Sequence, residues 1–432
     1  MMRISQQLTI LILGITAAAL MLSGCDDIFG SKGDSTTDEI FDTGRLDPTF
    51  VPDDVGYASL PFWTDFNQPT DVYVGFDELV YVTDSDGLHV LDRAGRLFQT
   101  IPLEGAVAVV QDRMLDVYVA ARVDTVLEQY GGITVNLPAV LKIRNANGAG
   151  PVQIIDRLVH PFSDASRPPG VNNRRLDVNS SLYDPETSDT NVEITGLTVL
   201  ADNTLYVTRR GPLNPITDPQ APDNTILEYT LRDDGSGTMR NVRQIRQLNP
   251  NTPSLVSAVG PGDIQSFIGP PQRENISSNR NFLVSQTRQD VSVPYRVLWV
   301  EVRETDDGIQ YAPNSSLLGQ DTTRADGFLY EVGKFENPSG ISYAPDGTGY
   351  IFVTDSAKDS LFVFQSNGRE GVPPPPGSEE TRDINVSFGG TGLAEREFNE
   401  PSGVAYFRRI VYVADKNNNR ISRFILNTDL ER

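Results

Sequence analysis

The side chains that most often carry catalysis or bind transition metals are scarce in this sequence. His89 and His160 are its only histidines, and Cys25 is its only cysteine. Two histidines cannot form a three-histidine zinc site, and the sequence contains neither a phosphate-binding glycine loop nor a His-Glu-x-x-His motif. His89 lies in an apolar segment, where packing is its expected role, whereas the His160-Pro161 step predicts an exposed loop. With no local catalytic motif, we expect neither a catalytic residue nor a resident cofactor.

Carboxylates are abundant instead. The chain carries 58 Asp and Glu against 36 Lys and Arg, which gives a net charge of −22. This charge argues against a nucleic-acid partner, which would require a basic surface, and it favours a soluble monomer. The densest acidic stretch, residues 177–193, lacks the spacing of a calcium-binding EF-hand loop. A divalent cation such as calcium stays possible if distant parts of the chain supply its ligands.

A five-residue strand pattern occurs six times. It consists of a large apolar residue, then Tyr, Phe or Leu, then Val, then a small Thr, Ala or Ser, and finally a variable residue. The copies begin at residues 80, 117, 205, 282, 351 and 411. β-Branched and aromatic residues between turn formers predict strands. A further strand is expected before and after each copy, and several of the preceding ones begin with Gly, which lets backbones approach closely.

The residue that closes each copy is the most informative chemical position. Three copies close with an aspartate: Asp84, Asp355 and Asp415. A carboxylate at a strand end can cap the backbone N–H groups of the following turn, and we expect this structural role for all three, with Arg420 pairing with Asp415. The third copy closes instead with Arg209, followed by Arg210. Two cations at this point of an acidic chain predict a contact with an anionic group or ligand.

The sixth copy and its surroundings resemble an NHL repeat. Residues 401–406 read Pro-Ser-Gly-Val-Ala-Tyr, and residues 411–421 read Val-Tyr-Val-Ala-Asp-Lys-Asn-Asn-Asn-Arg-Ile. Residues 338–341 with 353–355 form a second copy, which departs from the motif at residues 357–360. The resemblance implies that each copy is one blade of a β-propeller, so six copies imply an all-β, six-bladed ring. Lactonase-like six-bladed propellers bind a divalent cation on the axis with Glu, Asn and Asp from different blades, so an axial cation stays possible in a ring of this kind.

The ends of the repeat region predict how the ring closes. The sixth unit ends near Phe424 with three strands, and Tyr57–Phe66 could supply its missing outer strand, which would leave no open edge. Uneven spacing between the copies predicts long surface insertions at residues 124–138, 160–190, 269–280 and 304–334. The four prolines at 373–376 predict an extended polyproline II loop.

The N-terminal residues predict an exported lipoprotein. Arg3 precedes an apolar run at residues 8–22 that is too short to span a bilayer comfortably. The run ends Leu22-Ser23-Gly24-Cys25, which resembles a bacterial lipobox. The expected segments are a signal peptide at 1–24, a flexible tether at 25–45 that begins with the lipid-bearing Cys25, and a propeller at 46–432. The protein would then face the extracytoplasmic side of the bacterial cell envelope, anchored to a lipid bilayer that the sequence does not specify.

These observations favour a binding or scaffolding module. Loops on a rigid scaffold commonly carry recognition, so we expect a protein or small-molecule ligand on the face that bears the long insertions. Two alternatives stay open. One is an envelope hydrolase or lactonase with a divalent metal on the axis, and the other is a structural part of a larger envelope assembly.

Overall fold

The computed structural model describes residues 55–165, 175–181, 183–212, 224–245, 260–270, 279–287, 294–306 and 308–429. Among these residues, no helix is both long enough and apolar enough to cross a membrane. The expected signal peptide, Cys25 and the expected tether lie outside the described residues, as do residues 46–54 of the expected propeller segment.

The described strands form six four-stranded antiparallel sheets, which are the blades of a propeller. Blade 1 contains β2 (Asp71–Val74), β3 (Val80–Asp84), β4 (Gly87–Leu91) and β5 (Leu97–Pro102). Blade 2 contains β6 (Ala108–Gln111), β7 (Val117–Leu127), β8 (Ile133–Arg144) and β9 (Gln153–Val159). Blade 3 contains β10 (Glu193–Val199), β11 (Leu205–Arg210), β12 (Thr225–Leu231) and β13 (Met239–Ile245).

The second half of the ring has the same plan. Blade 4 contains β14 (Pro261–Ser266), β15 (Phe282–Gln286), β16 (Val297–Thr305) and β17 (Gly308–Pro313). Blade 5 contains β18 (Pro338–Tyr343), β19 (Ile351–Asp355), β20 (Ser360–Phe364) and β21 (Phe388–Gly389). Blade 6 contains β22 (Pro401–Phe407), β23 (Ile410–Asp415) and β24 (Arg420–Leu426), with β1 (Tyr57–Trp63) as its outer strand. Single 3-10 turns are the helical segments of the described residues: Glu128–Tyr130, Pro185–Thr187, Asp189–Asn191, Ser315–Leu318, Lys416–Asn418 and Asn427–Asp429.

The repeated apolar pattern forms the second strand of every blade. Every residue of β3, β15 and β19 is buried, because these strands pack against neighbouring blades on both faces of the sheet. Such strands lack a polar solvent face and therefore read as continuous apolar runs. Tyr206 of β11, for example, packs edge-on against Phe282 of the next blade, with ring centroids 5.4 Å apart.

The ring closes between the two ends of the described region. β1 pairs antiparallel with β24, so that Tyr57 lies opposite Leu426 and Trp63 opposite Ile421. The inner strands contact one another in the order β2, β6, β10, β14, β18, β22 and back to β2. The prediction of an all-β, six-bladed propeller closed by an N-terminal outer strand is confirmed. β1 covers the edge that β24 would otherwise expose.

Several predicted insertions differ from the structure. Residues 124–138 are not a loop, because β7 and β8 continue as a paired hairpin in which Asp124 lies opposite Asn136. The predicted insertion at 304–334 contains β17, the fourth strand of blade 4. Parts of the 160–190 and 269–280 insertions lie outside the described residues. The four prolines at 373–376 have no regular secondary structure.

Strand direction places four long connections on one face of the ring, whereas those from β14 to β15 and from β20 to β21 lie on the other face. In each antiparallel blade, the inner strand begins and the second strand ends on the same face, which we call the insertion face. The connections from β9 to β10, β11 to β12, β13 to β14 and β17 to β18 all start and end there. The insertion face therefore surrounds one mouth of the central channel.

Candidate functional site at the mouth of the central channel

Hydroxyl side chains at the start of four inner strands join adjacent blades. Each donates a hydrogen bond to a backbone carbonyl of the next blade. The pairs are Thr70 Oγ1 with Ala106 O at 2.9 Å, Thr195 Oγ1 with Pro261 O at 3.0 Å, Ser402 Oγ with Pro69 O at 2.9 Å, and Ser339 Oγ with Pro401 O. These bonds fix the radius of the channel where it opens on the insertion face.

The residue that follows this hydroxyl position, or its counterpart in blades 2 and 4, lies where the inner strands of neighbouring blades approach closely. A Cβ atom on Gly340 would lie 2.8 Å from Cα of Gly403, which is why glycine occupies this position in blades 3, 5 and 6. Blade 2 has Ala108 here. Blades 1 and 4 have Asp71 and Asp263 at the same position, so two carboxylates from opposite blades enter the channel. We call Asp71 and Asp263 the axial carboxylates.

Backbone amides hold both axial carboxylates in place. Asp71 accepts hydrogen bonds from the N–H groups of Val72 at 2.8 Å and Val109, in blade 2, at 2.9 Å. Asp263 accepts from Ile264 at 2.7 Å and from a residue of blade 5, Ile341, also at 2.7 Å. Each carboxylate thus links its own blade to the next one in the ring.

Enclosure by the inner strands weakens the acidity of both axial carboxylates. Burial raises the pKa of Asp71 well above its ordinary value, and the negative charge of Asp263 raises it further. Burial raises the pKa of Asp263 to about 7, against the opposing effect of its backbone hydrogen bonds. Each residue keeps some exposed surface toward the channel, but no cation among the described residues offsets the cost of desolvating the charge. The pair therefore retains protons near neutral pH.

A cavity of about 450 Å³ lies above the axial carboxylates, at the mouth. All six blades or the loops that enter them contribute to its wall: Thr70, Gly105, Val107, Ala121, Arg122, Pro138, Glu193, Ile194, Thr195, Arg210, Gly262, Thr287, Asn337, Ser339 and Lys416. Thr70 and Gly262 immediately precede the axial carboxylates, which places the carboxylates one residue deeper, about 3.3 Å farther along their strands. The cavity size suits a small ligand or a single group of a larger one.

The two predicted anion-binding arginines point to different places. Arg210 lies in the cavity wall, where its Nε donates to Glu193 Oε2 at 2.6 Å and its Nη1 to Thr287 Oγ1 at 2.9 Å. Arg209 is fully buried, and its Nη1 lies 2.9 Å from Asp164 Oδ2. Because this ion pair holds Arg209 inside blade 3, the predicted anion contact is reduced to Arg210.

His160 belongs to the same buried cluster as Arg209. Its Nε2 lies 2.7 Å from Asp189 Oδ1, and its Nδ1 lies 3.4 Å from Arg209 Nη1. The expectation that His160 is exposed is wrong, because the segment after β9 folds back over blade 3 and covers it. His89 is also buried, with its Nε2 2.8 Å from Asp84 Oδ1.

Two further cations, which sequence reasoning did not single out, line the mouth. Arg122 donates to the side chain and carbonyl of Asn136 and to the carbonyl of Thr190. Lys416 is half-buried in the wall on the side of blade 6, opposite Arg210. Its ammonium group has no hydrogen-bond acceptor within the part of the chain that the structure describes.

The aspartates that close strands bind backbone amides. Asp84 Oδ1 accepts from the N–H groups of Asp86 and Gly87, and Asp355 Oδ1 accepts from those of Ala357 and Lys358. Asp415 differs, since one of its oxygens accepts from Asn418 and, at 2.8 Å, from Nε of the buried Arg420. Arg420 also donates to the carbonyls of residues 393, 394 and 397. These contacts hold turns rather than presenting charge to a ligand.

Among the residues that the structure describes, the mouth does not have a donor set that suits calcium. Calcium prefers six to eight oxygen ligands with several carboxylates, whereas the cavity wall offers Glu193 as its one carboxylate and binds it to Arg210. Across the described residues, no group of three or more His, Cys, Asp or Glu side chains could hold a metal ion. The axial carboxylates number only two, and backbone N–H groups already engage all four of their oxygens.

Comparison with known proteins supports the repeat identified in the sequence. Residues 398–424 match the NHL repeat family, which confirms the resemblance for blade 6. No curated protein sequence matches the chain significantly.

Solved propellers resemble the whole described body at low sequence identity. Virginiamycin B lyase from Staphylococcus aureus is 10% identical, with 86% of this chain and 100% of that one covered and a TM-score of 0.41. A gluconolactonase from Xanthomonas campestris is 10% identical, with 87% and 90% covered and a TM-score of 0.43. Regucalcin, a calcium-binding protein from Agrobacterium tumefaciens, is 10% identical, with 87% and 96% covered and a TM-score of 0.43. Similarity at this level concerns the fold alone.

Proposed function

We propose that this propeller, with an NHL repeat in its last blade, is a binding module of the bacterial cell envelope whose ligand occupies the mouth on the insertion face. The observation that carries the proposal is the cavity of about 450 Å³, whose wall all six blades share. A site built this way is rigid, since the inter-blade hydrogen bonds of Thr70, Thr195 and Ser402 fix its wall. Long connections around the mouth could add contacts to a larger ligand.

Photocrosslinking in living cells tests whether the mouth binds a ligand. Val107 lies in the cavity wall, whereas Asp234 lies in the exposed connection from β12 to β13, on the opposite face. A photoreactive amino acid at position 107 should form a discrete adduct that is absent when it is placed at position 234. Thr287→Trp, which would fill part of the cavity, should weaken the adduct. Adducts of equal yield at both positions, or no change with Thr287→Trp, would contradict the proposal.

The same proposal includes anchoring through a lipid on Cys25. Its support is the lipobox-like sequence at residues 22–25. Intact mass measurement of the protein from membranes should show cleavage before Cys25 and an added lipid, and Cys25→Ala should lose both the cleavage and the lipid. A mature protein that is cleaved elsewhere or carries no added lipid would refute a lipid anchor at this residue.

A further inference from the structure

The wall of the mouth has the opposite charge to the rest of the protein. Its charged residues are three cations, Arg122, Arg210 and Lys416, and one carboxylate, Glu193, which gives the wall a net charge of +2. The chain as a whole has a net charge of −22. A positive concavity on an acidic protein attracts anions locally while the surrounding surface repels polyanions such as nucleic acid.

Arg210 is positioned to donate further hydrogen bonds. A guanidinium group has five N–H donors, and the contacts with Glu193 and Thr287 engage Nε and Nη1. The Arg210 side chain is 40% exposed and lines the cavity, so the N–H groups that these contacts leave unused are open to a ligand. The two existing contacts fix the plane of the group, which lowers the entropy lost when an anion binds.

Lys416 supplies an uncompensated charge on the other side of the ring. The nearest acid in sequence, Asp415, does not neutralise Lys416, because Arg420 and Asn418 bind its carboxylate. The Lys416 ammonium group is therefore free to pair with an anionic group of a ligand.

The axial carboxylates oppose an anion less strongly near neutral pH than two ordinary aspartates would. They lie directly beneath the cavity, and two ionised carboxylates there would repel a bound anion. Burial and their mutual repulsion raise the pKa of Asp71, and burial raises that of Asp263 to about 7. The floor of the mouth therefore carries less negative charge than two aspartates would carry in water.

We infer that the ligand of the mouth carries an anionic group, a carboxylate or a phosphate, bound between Arg210 and Lys416. This inference rests on the proposed function and adds the chemical class of the ligand. Both group types suit the site, since the guanidinium presents paired donors to planar or tetrahedral oxyanions and the ammonium acts as a point charge.

Calorimetric titration of the purified protein with inorganic phosphate and, separately, with succinate tests the inference. Binding of either probe should weaken about tenfold or more in Arg210→Met and in Lys416→Met. Arg240→Met is the matched control, because Arg240 is an exposed cation on β13 and its loss changes the net charge by the same amount. The probe that binds more tightly identifies the group as phosphate or carboxylate.

Two results would overturn the inference. One is the absence of binding by both probes, and the other is equal weakening in Arg210→Met, Lys416→Met and Arg240→Met, which would indicate a general charge effect. Failure here is distinguishable from failure of the proposed function. A neutral ligand crosslinked at position 107 would leave binding at the mouth intact while excluding the anionic class.

Discussion

The axial carboxylates should make the protein less stable as the pH rises toward neutrality, and replacing Asp263 by Asn should remove much of this decline. Burial raises the pKa of Asp263 above the value near 4 that the unfolded chain would have. The unfolded chain therefore loses this proton first as the pH rises. The stabilisation from the protonated form is fully present below about pH 4, declines up to about pH 7 and then stays constant.

The size of the effect follows from the difference in pKa between the two states. The folded-state pKa of Asp263 is about 7, which is about three pKa units above the unfolded-state value. Each pKa unit corresponds to about 1.4 kcal/mol, so the decline in the free energy of unfolding is on the order of 4 kcal/mol. Because the two axial carboxylates interact, the protons leave from the pair as a whole. Removing either negative charge should therefore also lower the pKa of the remaining carboxyl group.

Urea unfolding between pH 4.5 and 8, followed by tryptophan fluorescence, measures the decline. Trp63 and Trp299 are the only tryptophans, and both pack against aromatic residues of the propeller. Other carboxylates also titrate in this range, so the informative quantity is the difference in slope between the unmodified protein and Asp263→Asn. Asp233→Asn, which alters an exposed carboxylate, should keep the original slope. Parallel curves for the unmodified protein and Asp263→Asn would refute the reasoning.

Gly340→Ala should lower the free energy of unfolding by about 2 kcal/mol or more, because its Cβ would lie 2.8 Å from Cα of Gly403. Gly319→Ala, whose Cβ would have no neighbour nearer than 3.6 Å, is the control in the same urea experiment. Arg420→Ala should cost about 3–5 kcal/mol by leaving the buried Asp415 without its cation, and an unchanged urea midpoint would contradict this. Removing β1 should expose the edge of β24 and produce self-association visible by size-exclusion chromatography. Anion affinity at the mouth should fall between pH 6 and 8 as Asp263, whose pKa burial raises to about 7, ionises, and calorimetry of Asp263→Asn should show a smaller fall.

Local patterns in the sequence determined the architecture. The second strand of each blade is buried on both faces, so its apolar run can be read without knowing its neighbours. Closure by β1 was predictable because blade 6 ends with three strands and an unpaired edge must be covered. Glycine at the start of β18 and β22 was correctly interpreted as a sign of close backbone approach.

The site depended on the tertiary structure, because its residues meet only when the ring is complete. Asp71 and Asp263 lie far apart in the chain and share the channel because blades 1 and 4 face each other. An alignment of the six inner strands would have revealed both aspartates. Each occupies the position at which blades 3, 5 and 6 have Gly196, Gly340 and Gly403. Adjacent residues such as Arg209 and Arg210 point to opposite sides of a strand, and the sequence alone did not indicate which one would reach the mouth. Only the packing of blade 3 buries the first against Asp164 and leaves the second in the cavity wall.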